Sequence, residues 1–235
     1  MMFEYVEPTN TGRAFEENFL VRLGDANPAG VARIDGIARF LQDIATDDAA
    51  DTGVVNKDIW VVRRTSIRVA PGGRWPRYLE PLRLRTWCAG TGAAWAERRT
   101  NVYSNDELLL EAAGLWVPID QSGHPLRIRK EFIEVYGEAM QGRKVSGRVP
   151  AREVAPEAEL RTWTLRQADL DVIGHVNNAA IWQAVNEELR GEPQEVTVIH
   201  HGSIENGDAV TIATTNNEVW LLVDGDVRVA AAIRY

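Results

Sequence analysis

The sequence predicts an α+β protein built from one unit used twice, a long helix wrapped by a curved antiparallel sheet. Three observations carry that prediction. Residues 31–50 place Ile34, Ile37, Ala38, Leu41 and Ala45 on one helical stripe, which Phe40 and Ile44 make wider than a surface helix needs. Four runs of alternating character follow, separated by turns rich in Gly, Pro and Asn/Asp. The same order, one strand, one helix and four strands, returns about 145 residues later.

In chain order, residues 14–23 alternate as a first strand and end in the turn from Gly24 to Gly30, which holds Pro28. Gly53 stops the first helix. Strands are expected at 59–70, 79–89, 94–104 and 108–119, with Pro71-Gly72-Gly73, Gly90-Thr91-Gly92 and Asn105-Asp106 as turns. In the first of them Ile59, Val61, Ile67 and Val69 share a face with Arg63, and Arg64 takes the other. From Gly123 to about residue 160, charges, Gly and Pro dominate, and 130–138 predicts a short helix. Its Phe132, Ile133, Val135 and Tyr136 need burial, so this is a linker crossing the molecule and not a slack tether. A strand at 161–166, a helix at 176–190 and strands at 195–201, 209–215, 218–223 and 227–234 complete the second copy. The expected organisation is an N-terminal unit, 1–124, a crossing linker, 125–160, and a C-terminal unit, 161–235. A bent antiparallel sheet curled round one apolar helix is a hotdog unit. The expected fold is therefore α+β, a tandem (double) hotdog.

With 235 residues, 45% hydrophobic and 26% charged, the chain can bury a substantial core. The net charge of −8 argues against general nucleic-acid binding, which wants a basic footprint. Charge is uneven: residues 59–125 carry nine bases against six acids, and 126–152 carry seven against three. An acidic partner is expected on that positive middle third. A single cysteine, Cys88, forbids a disulfide within the chain and fits a reducing compartment. It sits in an alternating strand, where a lone thiol reads as packing and not as a nucleophile. No basic segment followed by an apolar core opens the sequence, and no run of 18 apolar residues occurs, so neither a secretory signal nor a membrane span is expected. The expected location is cytoplasmic.

The most site-like stretch is Asp169-Leu-Asp-Val-Ile-Gly-His-Val-Asn-Asn178. It delivers a carboxylate, Asp171, and an imidazole, His175, to the start of a helix. The first amides of a helix lack internal partners, and with the helix dipole they favour an anion or a polarised carbonyl. Asp and Asn are also ordinary turn and cap residues, so the residues alone leave a purely structural role open.

The chain resembles the acyl-acyl carrier protein thioesterases of plants and bacteria from Phe15 to its end. The resemblance rests on Phe40-Leu-Gln-Asp-Ile-Ala45, Ile59-Trp-Val-Val62 with Ile67-Arg-Val69, Leu84-Arg-Thr-Trp87, Leu115-Trp-Val117 and, above all, the Asp169–Asn178 stretch. The family motif there reads Asp-x-Asn-x-His-Val-Asn-Asn, and Asp171, His175, Val176, Asn177 and Asn178 match it in order. Two positions depart. Ile173 stands where the family has Asn and cannot supply its amide. The family's Glu on the next strand falls at Ser203 by bacterial spacing and nearer Ile204 by plant spacing; Glu205 is the nearest acid, and His200 and His201 lie just upstream.

The resemblance implies hydrolysis of a fatty acyl thioester in fatty acid biosynthesis. Asp171, His175 and Ser203 would be catalytic, Asn177 and Asn178 would meet the substrate, and Ile34, Ile37 and Leu41 would shape the acyl pocket. Asp171 would activate water or attack directly. The partner would be acyl carrier protein with its acylated phosphopantetheine arm, docking on Arg143, Lys144 and Arg148. No cofactor or metal is implied, and a homodimer is compatible with it. Three alternatives stay open: an acyl-CoA thioesterase, a non-catalytic acyl-binding hotdog with a decayed site, and a hotdog enoyl hydratase. The last follows from Arg22-Leu-Gly-Asp-Ala-Asn-Pro-Ala-Gly30, which resembles the hydratase signature Gly-Asp-x-Asn-Pro-x-His but has Gly30 at the His position.

Overall fold

The computed structural model describes residues 6–53 and 59–235; the remainder of the expected 1–124 unit, 1–5 and 54–58, lies outside the described residues. The first half contains β1 (Ala14–Leu20), α1 (Ile34–Thr52), β2 (Ile59–Val69), β3 (Pro81–Thr91), β4 (Ala96–Ser104) and β5 (Glu107–Ile119). A second helix, α2 (Lys130–Met140), opens the linker. The second half contains β6 (Glu159–Trp163), α3 (Asn178–Asn186), β7 (Glu195–His200), β8 (Val210–Thr214), β9 (Glu218–Val223) and β10 (Asp226–Arg234).

All ten strands form one antiparallel sheet in the order β1-β3-β4-β5-β2-β7-β10-β9-β8-β6. Read outward from the centre, each half repeats the same order, so the duplication expected from the sequence is present in the topology. The halves join through their edge strands. β2 pairs with β7 from Arg64↔Ile199 to Arg68↔Glu195, and Ser66 Oγ lies 2.8 Å from Thr197 Oγ1 across the seam. This pairing covers an edge that each half alone would expose.

Helices α1 and α3 pack on one face of this sheet and on each other. Ile34, Ile37 and Ile44 of α1 and Ile181, Ala184 and Val185 of α3 meet Ile67, Leu82, Leu84, Val196, Val198 and Val229 in one core. Each fully buried Leu or Ile contributes about 1.5–3 kcal/mol of transfer free energy. α2 closes the C-terminal end of α1: Phe132 stacks on Trp60 with ring centroids 5.2 Å apart, and Tyr136 donates to Asp48 Oδ2 at 2.9 Å. Arg13 and Arg98 also hold the buried Asp48.

After α2 the chain runs over the outer face. Trp95 Nε1 donates to the carbonyl of Val145, Arg152 pairs with Glu218 at 2.6 Å, and Val154, Ala155 and Ala158 cover Trp220. Among the described residues no helix is long and apolar enough to cross a membrane.

Several boundaries differ from expectation for physical reasons. β1 stops at Leu20 because a 3-10 turn, Leu23–Asp25, takes the next residues. α3 spans nine residues, since the Val176 amide donates to Ile204 instead of joining the helix. Gly90 lies inside β3 beside a bulge and not in a turn; a Cβ there would stand 2.8 Å from Val145 Cγ1 of the linker. β2 carries an extra residue, Arg63, between Val62 and Arg64. That bulge breaks the alternation, so Ile67 and Val69 reach the helix-facing core while Ile59 is 50% exposed.

Candidate active site

The candidate site is a loop held from both ends. Asp169, nearly fully buried, accepts the amide of Arg166 and its guanidinium, and its carbonyl accepts the amide of Asn177 at 2.8 Å. Between these anchors Asp171 Oδ1 accepts the amides of Ile173 and His175 at 3.0 and 3.1 Å. Gly174, at φ 85, makes the reversal. Asp171 Oδ2 makes no hydrogen bond among the described residues. Val172 and Ile173 project into solvent, 103% and 65% exposed, so the missing family amide at Ile173 leaves no buried group unpaired.

His175 faces a different carboxylate from the one its spacing suggested. Its Nε2 lies 3.2 Å from Glu205 Oε2, and Ser203 Oγ donates to Glu205 Oε1 at 2.6 Å. A β-bridge between His175 and Glu205 and the bond from Val176 N to Ile204 O set this register. Asp208 accepts the amide of Glu205 at 2.7 Å. The third group beside the imidazole is therefore Glu205, and Ser203 stands behind it. Residue counting missed this because an isolated bridge decides which side chain arrives; the available signal was that Glu205 is the nearest acid.

The first half shows what the same loop looks like without the chemistry. Asn27 Oδ1 accepts the amides of Ala29 and Val31, both at 3.0 Å, as Asp171 does for Ile173 and His175. Gly30 has φ 73, Arg33 N donates to Asp25 O, and Ala32 N donates to Pro76 O. The bridge matching His175–Glu205 joins Val31 to Arg77. The turn thus needs only a side-chain oxygen, which Asn27 supplies neutral. The charge of Asp171, the imidazole and Glu205 are additions of the second copy. The hydratase-like stretch has no acid–base pair: Asp25 is held by Arg39 and by the amide of Arg22, and Val31 stands opposite Arg77.

Asn177 caps α3, its Oδ1 accepting the amide of Ala179 at 2.8 Å. Asn178, the next residue, lines a narrow cavity of about 50 Å³ with Ala179, Trp182, Ala38, Leu41 and Val62. Gln42, Arg98 and Trp116 line both this cavity and a larger one of about 300 Å³. The walls of the larger one include Ala45, Thr46, Ala49, Trp60, Cys88 and Phe132. Of the three residues expected to shape an acyl pocket, Leu41 lines the narrow cavity; Ile34 and Ile37 are buried in the core and line neither. Burial pushes the Cys88 thiol up to about 11, so it remains a neutral wall residue.

Burial, then the neighbouring Arg63 and His201, pushes His200 down to about 4. Arg143 is engaged: its guanidinium meets the buried Glu97 at 2.7 Å and pins the linker, while Lys144 and Arg148 are exposed. The described residues contain no group of three or more His, Cys, Asp or Glu able to hold a metal.

The architecture is that of a tandem hotdog, with Asn178 joining the loop of Asp171 and His175 to the wall of the narrow cavity. The solved structures it resembles include the 12:0-ACP thioesterase from Umbellularia californica, with TM-score 0.79 and 18% identity over 96% of this chain and 98% of that one. They also include an acyl-ACP thioesterase from Bacteroides thetaiotaomicron, with TM-score 0.75 and 16% identity over 94% and 97%. The family pattern of the acyl-ACP thioesterase N-terminal domain matches residues 12–136 and that of the C-terminal domain matches 153–226, so the chain belongs to the acyl-ACP thioesterase family. The reaction of the family is hydrolysis of a fatty acyl-acyl carrier protein thioester, releasing free fatty acid. Relatives include an uncharacterized protein of Mycobacterium tuberculosis, 23% identical over 97% of this chain and 95% of that protein. The chloroplastic oleoyl-acyl carrier protein thioesterase of Coriandrum sativum is 25% identical over 82% of this chain and 57% of its own length.

Proposed function

We propose that Asp171 and His175 carry out the hydrolysis, with Glu205 as the third group in place of Ser203. The contrast between the two matched loops carries this: the turn is built equally well by Asn27, yet only the second copy has a carboxylate, an imidazole and a second carboxylate. Asp171, its Oδ1 fixed by two amides, has Oδ2 for a water or for the thioester carbon. The Asn177 cap satisfies the Ala179 amide and leaves that of Asn178 to receive the developing oxyanion at the start of α3. With Asp171 as base, water attacks the carbonyl carbon and its proton passes to Asp171. The C–S bond then breaks, and His175, held by Glu205, gives its proton to the leaving sulfur. Fatty acid and carrier thiol are released, and the proton on Asp171 returns through solvent to His175, which resets both groups.

The acyl chain enters past Asn178 and Leu41 and ends in the larger cavity under α1 and α2. The pantetheine arm arrives from the open side, where His175 and Glu205 are about half exposed. Of Arg143, Lys144 and Arg148, the last two are left exposed for an acidic carrier, and both halves of the site come from one copy of the chain. A buried reduced thiol suits the cytoplasm.

Replacing Asp171 by Asn tests the assignment, because Asn27 shows that the loop tolerates it. Acyl-carrier hydrolysis should fall at least ~100-fold while the melting temperature holds. Turnover near that of the parent enzyme would remove Asp171 from the mechanism.

A further inference from the structure

A cluster of unpartnered side-chain nitrogens lies where β2, β7 and β10 meet. Arg64 pairs with Ile199, which sets the bulged Arg63 beside His200. His200 pairs with Val229, and the amides of His201 and Gly202 both donate to the carbonyl of Arg228, the extra residue of a second bulge. The Arg228 side chain lies against Gly202, with Nη1 3.1 Å from the place a Cβ would take. Four side-chain nitrogens here, Arg63 Nε, His200 Nε2, His201 Nε2 and Arg228 Nε, are buried without a hydrogen-bond partner. His200 is 7% exposed, and the other three residues are half-buried. Neither arginine has an ion pair among the described residues, whereas Arg68, Arg98, Arg99 and Arg143 each hold a carboxylate.

Buried polar groups are nearly always paired, so four orphaned nitrogens in one place, two of them guanidinium N–H donors and two on imidazoles that can turn an N–H the same way, suit an anion with several acceptor oxygens. Burial and the charge of Arg63 lower both histidines, which leaves each neutral with one N–H to give. Gly202, Ser203 and Ile204 are all that separates His201 from Glu205, a span of at most about 14 Å of extended chain. The substrate of an acyl-carrier thioesterase has one fixed anion on its arm, the phosphodiester that joins pantetheine to the carrier.

We propose that Arg63, His201 and Arg228, above the buried His200, bind the phosphate of the pantetheine arm and so aim its thioester at His175. This rests on the thioesterase assignment for the source of the phosphate, though not for the anion chemistry of the cluster. The site selects phosphorylated arms over pantetheine alone, whatever the acyl chain.

Equilibrium dialysis with 4′-phosphopantetheine, pantetheine and inorganic phosphate reads binding without hydrolysis. The enzyme should hold 4′-phosphopantetheine at least about tenfold more tightly than pantetheine. Arg63→Gln combined with Arg228→Gln should erase that difference, and Arg63→Lys should keep part of it. A melting curve checks each variant, and the half-buried His201→Ala serves if the double variant fails to fold. The KM of acyl-phosphopantetheine should lie below that of acyl-pantetheine by a similar factor. Equal binding of the two arms, with or without binding of inorganic phosphate, would overturn the proposal, as would a double variant that still discriminates. Discrimination in dialysis with no hydrolysis of either thioester would instead count against the catalytic assignment and leave the phosphate site standing.

Discussion

Replacing Glu205 by Gln probes the residue that the structure, and not the spacing, brings to His175. The substitution keeps the shape and removes one charge 3.2 Å from Nε2. Two unit charges at that separation attract by about 1.3 kcal/mol in bulk water and about 5 kcal/mol at an effective dielectric near 20. His175 and Glu205 are 42% and 48% exposed, so the true value lies toward the watery limit. The ground-state pair therefore contributes at most about 1 kcal/mol to stability, and the melting temperature should scarcely move. With His175 as the acid that protonates the leaving sulfur, the 1.3 kcal/mol from the carboxylate favours the imidazole that still holds its proton, so losing it should lower kcat by up to about tenfold. Ser203→Ala removes only a hydroxyl behind the carboxylate and should cost less than Glu205→Gln. Steady-state hydrolysis of one acyl-carrier substrate at low and high salt measures both, and the Glu205→Gln deficit should shrink with screening. A Glu205→Gln enzyme with unchanged kcat, or a Ser203→Ala enzyme more damaged than it, would show that Glu205 is not the partner that matters.

Ala49→Leu should fill part of the larger cavity beside Trp60 and Phe132 and shift the preferred acyl chain several methylenes shorter, read from a panel of chain lengths. His200, held near 4, is neutral in the folded protein and ordinary when unfolded. Stability linked to it is intact above about pH 6.5 and is lost as pH falls toward 4, by up to about 3 kcal/mol; melting curves of His200→Gln should be flatter over that window. Arg143→Glu should destabilise the protein by about 1–3 kcal/mol, because it sets a second carboxylate against Glu97. Reversing only the exposed Lys144 and Arg148 should raise KM for acyl-carrier substrates while the melting temperature stays put.

By itself the sequence determined the duplicated α+β plan, because burial imposes periodicity locally: the α1 stripe and the alternating strands are visible over ten or twenty residues. The candidate loop was also legible in it, since Asp171, Gly174, His175 and the Asn177 cap all lie within one turn of chain. Even α2 was legible, from four apolar residues in a polar segment. Only the tertiary structure decided what long-range pairing controls. The bulge at Arg63 split the face expected for β2, and the bridge from His175 to residue 205 brought Glu205, with Ser203 behind it, to the imidazole. Arg143, part of a charge run in the sequence, turned out to anchor the linker on Glu97. Ile34 and Leu41 sit on the same predicted stripe, yet one is core and the other cavity wall. A stripe says which residues leave water. Whether a neighbour or an open space meets them there depends on elements that arrive from elsewhere in the chain.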